Sequence, residues 1–194
     1  MPLGTMAALM LTIGLLSGLL PDLPKQFRTR KFYLLAFLIL TPVLRMASIG
    51  IAAECELNAA CLFTLALLCA AAAVLDGKRM LLTVPLSLIL AIPAFFLNRA
   101  LESDAAVLAC AMLVLLLLPL VKKPAMLCFA AALVPVFAAA FELLAGLAFS
   151  GYGVFELSGQ SWDVQLVGAM LITYFFELRR FSGARLPNAR SDEV

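Results

Sequence analysis

Apolar residues fall along this chain in long unbroken stretches separated by short polar connections. The stretches run Leu3 to Leu20, Phe32 to Ala53, Leu57 to Leu75, Met80 to Leu97, Ala105 to Val121, Ala125 to Phe149 and Val164 to Leu178. Most approach the roughly 20 residues a helix needs to cross about 30 Å of hydrocarbon. Each is apolar all round, whereas a barrel strand would alternate apolar and polar positions over about ten residues. The pattern therefore predicts an all-α, polytopic transmembrane bundle of about seven spans, since a helix satisfies its own backbone where no water is present. Residues 1–181 form that single bundle, and 182–194 a short polar cytoplasmic tail.

Basic residues then set the direction. The clusters Lys25, Arg28, Arg30, Lys31, then Lys78, Arg79, then Lys122, Lys123, then Arg179, Arg180, Arg185, Arg190 fall on every second connection. Cytoplasmic loops carry an excess of Lys and Arg, so these connections face the cytoplasm and the N-terminus lies outside. Only Arg99, outside, and Arg45, within a span, depart from this arrangement. Removing any one span would break the alternation. The ends of the second run, which contains Arg45, and of the sixth, which stops near Phe141 or continues past Glu142, are the least sharply marked.

Composition narrows the chemistry. With 64% hydrophobic and 13% charged residues, the 194-residue chain leaves no room for a soluble catalytic domain between its spans. The net charge of +2 is gathered at the ends of apolar runs, which suits membrane orientation and not nucleic-acid binding. Histidine is absent, removing the commonest metal ligand and the usual general base near neutral pH. Cys55, Cys61, Cys69, Cys110 and Cys128 form no C-x-x-C pair and read as packing residues. Met1 to Leu20 has no basic n-region and no small-residue cleavage site, so it is expected to remain as a span. No cofactor, metal or catalytic constellation is expected. The expected partners are the lipid bilayer and other membrane subunits or a second copy of the chain.

Arg45 is the least expected residue. It lies nine residues ahead of Glu54 and thus about 13 Å below the expected outer boundary. A mid-span arginine faces the bundle interior with an anionic or carbonyl partner. Glu142, the one carboxylate well inside an apolar run, sits on a span of the same direction, so an Arg45–Glu142 pair is expected in the outer half of the bundle. Two readings stand: the pair fixes helix packing, or with Asn98 it lines a pocket opening outward to a small anionic or zwitterionic solute. Asn98 and Arg99 also suit the cap of the fourth span.

Gly14 and Gly18 form a G-x-x-x-G, which allows close helix approach within the chain or between copies. Pro42, Pro85, Pro93 and Pro135 fall inside runs and are expected to loosen their helices. Ser150-Gly151-Tyr152-Gly153 contains the Gly-Tyr-Gly of potassium-channel filters, but Phe149-Ser150 replaces the preceding Thr-Val and the topology is opposite. These glycines are read as outer-loop turns, with Asp163 at the positive end of the last helix.

The final third, from Ser150-Gly151-Tyr152-Gly153-Val154-Phe155 through Trp162-Asp163 to Tyr174-Phe175-Phe176-Glu177-Leu178-Arg179-Arg180, resembles the YphA-like membrane proteins of endospore-forming bacteria. The resemblance lies in layout: an aromatic, glycine-containing outer loop, a last span ending in aromatics plus Glu, and a basic tail. It implies a bacterial cytoplasmic membrane and no particular activity. The chain is expected to act without catalysis, as an accessory or assembly component of a membrane complex. The alternative is a small-solute pathway.

Overall fold

A computed structural model describes residues 1–52, 54–121 and 123–184. The chain is mostly helical, in the order α1 (Leu3–Leu16), α2 (Leu23–Gln26), α3 (Lys31–Leu44), β1 (Ser48–Ala52), β2 (Cys55–Asn58), α4 (Ala59–Ala100), α5 (Ser103–Leu115), α6 (Pro124–Ser150), β3 (Phe155–Leu157) and α7 (Gly159–Ala184). Ala53, Lys122, Arg185 and Arg190, and with the last two most of the expected tail, lie outside the described residues. The beginning of that tail, 182–184, still belongs to the backbone of α7.

The second apolar run divides. Helix α3 stops at Leu44, and Ser48–Ala52 form a strand instead of a last helical turn. Ile49 and Ile51 are β-branched and flank Gly50, a combination that favours extended backbone over helix. β1 pairs antiparallel with β2, and β2 pairs parallel with β3, giving the order β1-β2-β3. This small sheet was not expected from the apolar pattern. It joins the connection after α3 to the connection before α7.

The third and fourth runs share one continuous helical backbone, α4, with Asp76 to Arg79 inside it. A straight helix would hold Cys61 and Arg99 about 57 Å apart. Yet Cys61 lies beside the side chain of Gln165, whose amide Nε2 donates to the Ala132 carbonyl at 3.1 Å. Arg99 meets Glu142, and Ala132 and Glu142 are only about 15 Å apart along α6. α4 therefore bends. Gly77, Pro85 and Pro93 are its breaker residues, and kinks form at such positions.

Helix α6 is the centre of the bundle. Its N-terminal part, from Ala125 to Ala132, is buried throughout, and alanines there let neighbours approach closely. Beyond Ala139 the helix becomes more exposed and continues past Phe141 to Ser150, where Gly151 takes a left-handed φ of 71°. The chain then folds back along α6 so tightly that a Cβ on Gly146 would stand 2.7 Å from the Tyr152 carbonyl. The Gly-Tyr-Gly segment is thus part of a return turn.

Helices α1 and α7 run in the same direction, for Gly4 touches Asp163 and Gly14 touches Tyr174. The Tyr174 hydroxyl donates to the Met10 carbonyl at 3.1 Å. Helix α1 ends at Leu16, and Gly18 lies beyond it at φ 78° with open space about it. Gly14 and Gly18 therefore do not share a helix face. Gly14 seats α7 and Leu20, and Gly18 makes a turn.

Candidate functional site

Two features stand out, a polar knot at the end of the bundle holding the sheet and an apolar cavity toward the other end.

The knot is built on Arg45. Because α3 ends one residue earlier, Arg45 is a helix cap at the rim and not a mid-span charge. Its Nε donates to Asp163 Oδ1 at 3.2 Å and its Nη2 to Oδ2 at 3.0 Å, the two-pronged geometry in which arginine binds carboxylate most specifically. Asp163 Oδ1 also accepts the Gly4 N–H at 3.2 Å. On the other side, the Arg45 carbonyl accepts Asn58 Nδ2 at 2.8 Å. Asn58 Oδ1 in turn accepts the N–H groups of Ala60 and Cys61, capping α4. The guanidinium lies 5.9 Å from the Trp162 ring centre. One arginine thereby ties the ends of α1, α3, α4 and α7.

Gly4 is required where it stands, since any Cβ would come within 2.8 Å of the Asp163 backbone and 2.9 Å of Trp162. Burial raises the Asp163 pKa, while the hydrogen bond and charge of Arg45 and the Gly4 N–H pull it back without cancelling the rise. The negative carboxylate also sits in the first turns of α7, where the helix dipole favours it.

The expected Arg45–Glu142 pair is replaced by two others. Glu142 Oε1 lies 3.7 Å from Arg99 Nε, with both side chains more than half exposed, so this contact adds little to stability. Arg99, in the last turn of α4, also stacks over Phe95 at 4.6 Å. Asn98 joins neither pair. It is exposed, and its Oδ1 accepts the Cys110 thiol at 3.5 Å. Arg45, Glu142 and Asn98 thus stand in three separate contacts. Asp163 was seen in the sequence only as a helix-start residue; its place just before the last apolar run, expected level with the far end of the second, was the available signal.

The opposite end of α7 carries a second polar tie. Arg180 bonds Asp22, which also meets Lys25 at 3.4 Å. Glu177 is buried, 3.9 Å from Arg180, and its carboxylate oxygens have no hydrogen-bond partner among the described residues. Asp163 and Arg180 are about 26 Å apart along the helix, and the residues between them are mainly apolar.

Between α1, α3, the first part of α4 and α7 lies a cavity of about 280 Å³. Leu11, Leu38, Leu68 and Leu166 are among its apolar walls, and Arg28, Thr29 and Tyr33 are at one end. None of Arg45, Glu142 or Asn98 lines it. All five cysteines are free, and Cys61, Cys110 and Cys128 are buried. No protein-family model, curated protein or solved structure matches the chain.

Proposed function

We propose that the chain is a non-catalytic integral membrane protein that crosses a bacterial cytoplasmic membrane about seven times, N-terminus outside, and serves as an accessory or assembly component of a membrane complex. Several features support the membrane reading. Met80–Ala100 and Pro124–Ser150 are long and apolar enough to span. Little more than a quarter of the residues in the most apolar stretch of Met80–Ala100 are buried, and Leu81, Leu82, Ile89 and Phe96 point away from the protein, unlike the core helix of a soluble domain. The outward face of α1 is equally apolar, with Met6, Leu9, Ile13 and Leu16 exposed. The two polar ties along α7 are separated by nearly the thickness of a hydrocarbon core. Helices α1 and α7 run parallel, as the first and last of an odd number of spans must.

The observation that carries the non-catalytic, assembling role is the use of the rim charges. Arg45 joins four helix ends through Asp163, Gly4 and Asn58, while Glu142 is occupied by Arg99. The Arg45 knot holds the scaffold together, which leaves its broad apolar faces as the surfaces available to other spans. The YphA-like layout agrees with a small bacterial membrane protein of this kind. A solute pathway through the outer half would need Arg45, Glu142 and Asn98 to converge on one space, and they stand apart. Purification from native membranes in mild detergent, with the retained proteins identified and counted, tests the role. A partner held at fixed stoichiometry is expected; a partner-free protein that conducts solute in vesicles overturns it.

A further inference from the structure

We propose that the cavity beside α3 is a lipid site that takes one acyl chain of an acidic phospholipid from the cytoplasmic leaflet, with Arg28 holding the headgroup phosphate. The proposal rests on the membrane reading above. The lining runs from Thr64 to Val74 along α4, about 15 Å, a length that suits a stretch of hydrocarbon chain. Its depth is apolar and buried, whereas Leu67 and Val74 on α4 and Tyr33 on α3 are exposed. A chain can therefore enter sideways from the bilayer between α3 and α4.

The mouth is cationic. Arg28 lines it, and Arg30 and Lys31 follow immediately and are exposed. The nearby acids do not neutralise them: Asp22 is held by Lys25 and Arg180, and Glu177 lies beside Arg180. Among the described residues no carboxylate pairs with Arg28. Its backbone is also unusual, with φ 48°, the one non-glycine residue in the left-handed region among those described. The turn after α2 closes there, as Thr29 N–H donates to the Pro24 carbonyl at 2.9 Å, and glycine is the residue that fits this position. An arginine in this strained conformation, at the mouth of an apolar cavity, points to work for its side chain.

The test uses the full chain purified in detergent and mixed with equal amounts of phosphatidylglycerol and phosphatidylcholine, the bound lipid being read by native mass spectrometry. One phosphatidylglycerol per chain is expected, preferred about five-fold, the effect of one cation near an anionic headgroup. Arg28→Gly should abolish the preference, Arg28→Lys should keep most of it, and Ala71→Trp, which fills the cavity, should remove the bound lipid. Equal retention of both lipids, a preference that survives Arg28→Gly, or displacement of the phospholipid by an equimolar fatty acid overturns the proposal. Extraction of membranes with alkaline carbonate separates this from the underlying reading. A protein that stays in the pellet without lipid preference refutes only the lipid site, while one released to the supernatant refutes membrane insertion itself.

Discussion

Arg45 and Asp163, 118 residues apart in sequence, are joined by two hydrogen bonds of 3.2 and 3.0 Å at the rim of the bundle. The pair is only partly withdrawn from solvent, with the Arg45 side chain 27% and the Asp163 side chain 9% exposed. Removing one member leaves the other without its partner. Arg45→Met should therefore destabilise the protein by about 2 to 3 kcal/mol, somewhat less than the roughly 3 to 5 of a fully buried pair. Arg45→Met with Asp163→Met should recover part of that loss. Unfolding in mixed micelles for the two single variants and the double variant measures the coupling, and additive effects would show that the two residues do not interact.

The same pair gives a pH dependence. Burial holds the Asp163 pKa above its ordinary value, so the folded protein takes up this proton before the unfolded chain does as pH falls. The corresponding stability is fully present below the ordinary carboxylate pKa and is lost as pH rises through the folded value. The stability of the wild type relative to Asp163→Asn should thus improve on acidification from neutral pH, other carboxylates cancelling in the difference. In Arg45→Met the cation no longer opposes burial, and the change should begin at higher pH. A relative stability that falls on acidification contradicts the assignment.

Two glycines separate packing from turn formation. Gly4→Ala drives a methyl group into the Asp163 backbone and Trp162, contacts made by groups that cannot swing aside. Its cost should be about 2 kcal/mol, within the range for overpacked sites. Gly18→Ala meets nothing and incurs only the strain of its positive φ, about 1 kcal/mol. Gly18→Leu should leave the oligomeric state unchanged, because Gly18 is not on a helix face. Loss of a dimer on that substitution would restore G-x-x-x-G as an interface.

Arg28 offers the opposite sign. Relieving its left-handed backbone with Arg28→Gly should raise stability by about 0.5 to 1 kcal/mol, after allowing for the greater freedom of glycine in the unfolded chain. Thermal unfolding in a neutral detergent, free of acidic lipid, is the measurement. A fall in stability there would mean that the Arg28 side chain supports the fold directly.

Much of this architecture was legible because charge and apolarity are segregated along the chain. The starts of α3, α5 and α6 lie within a few residues of those read from the runs, since each follows a polar or charged connection. The sheet was hidden because Ile49, Gly50 and Ile51 extend an apolar run without a break, and apolarity does not distinguish helix from strand over five residues. That concealment carried over to the site. With the second span read through to Ala53, Arg45 looked buried in mid-membrane and Glu142 looked like its partner. Once α3 ends at Leu44, Arg45 reaches the rim and the carboxylate within reach is Asp163. The continuous backbone of α4 through Asp76 to Arg79 was likewise not legible, because Asp76 and Gly77 favour a break and the lysine and arginine that follow, which mark a loop by composition, are also good helix formers.

The most direct measurement is the side of the membrane on which each connection lies. In a cysteine-free background, single cysteines at Glu56, Asp104 and Tyr152 should react with a membrane-impermeant maleimide on intact cells. Those at Thr29, Gly77 and Lys123 should react only after permeabilisation. Labelling of Gly77 from outside, or of all six positions on intact cells, would contradict the multi-span arrangement on which the account depends.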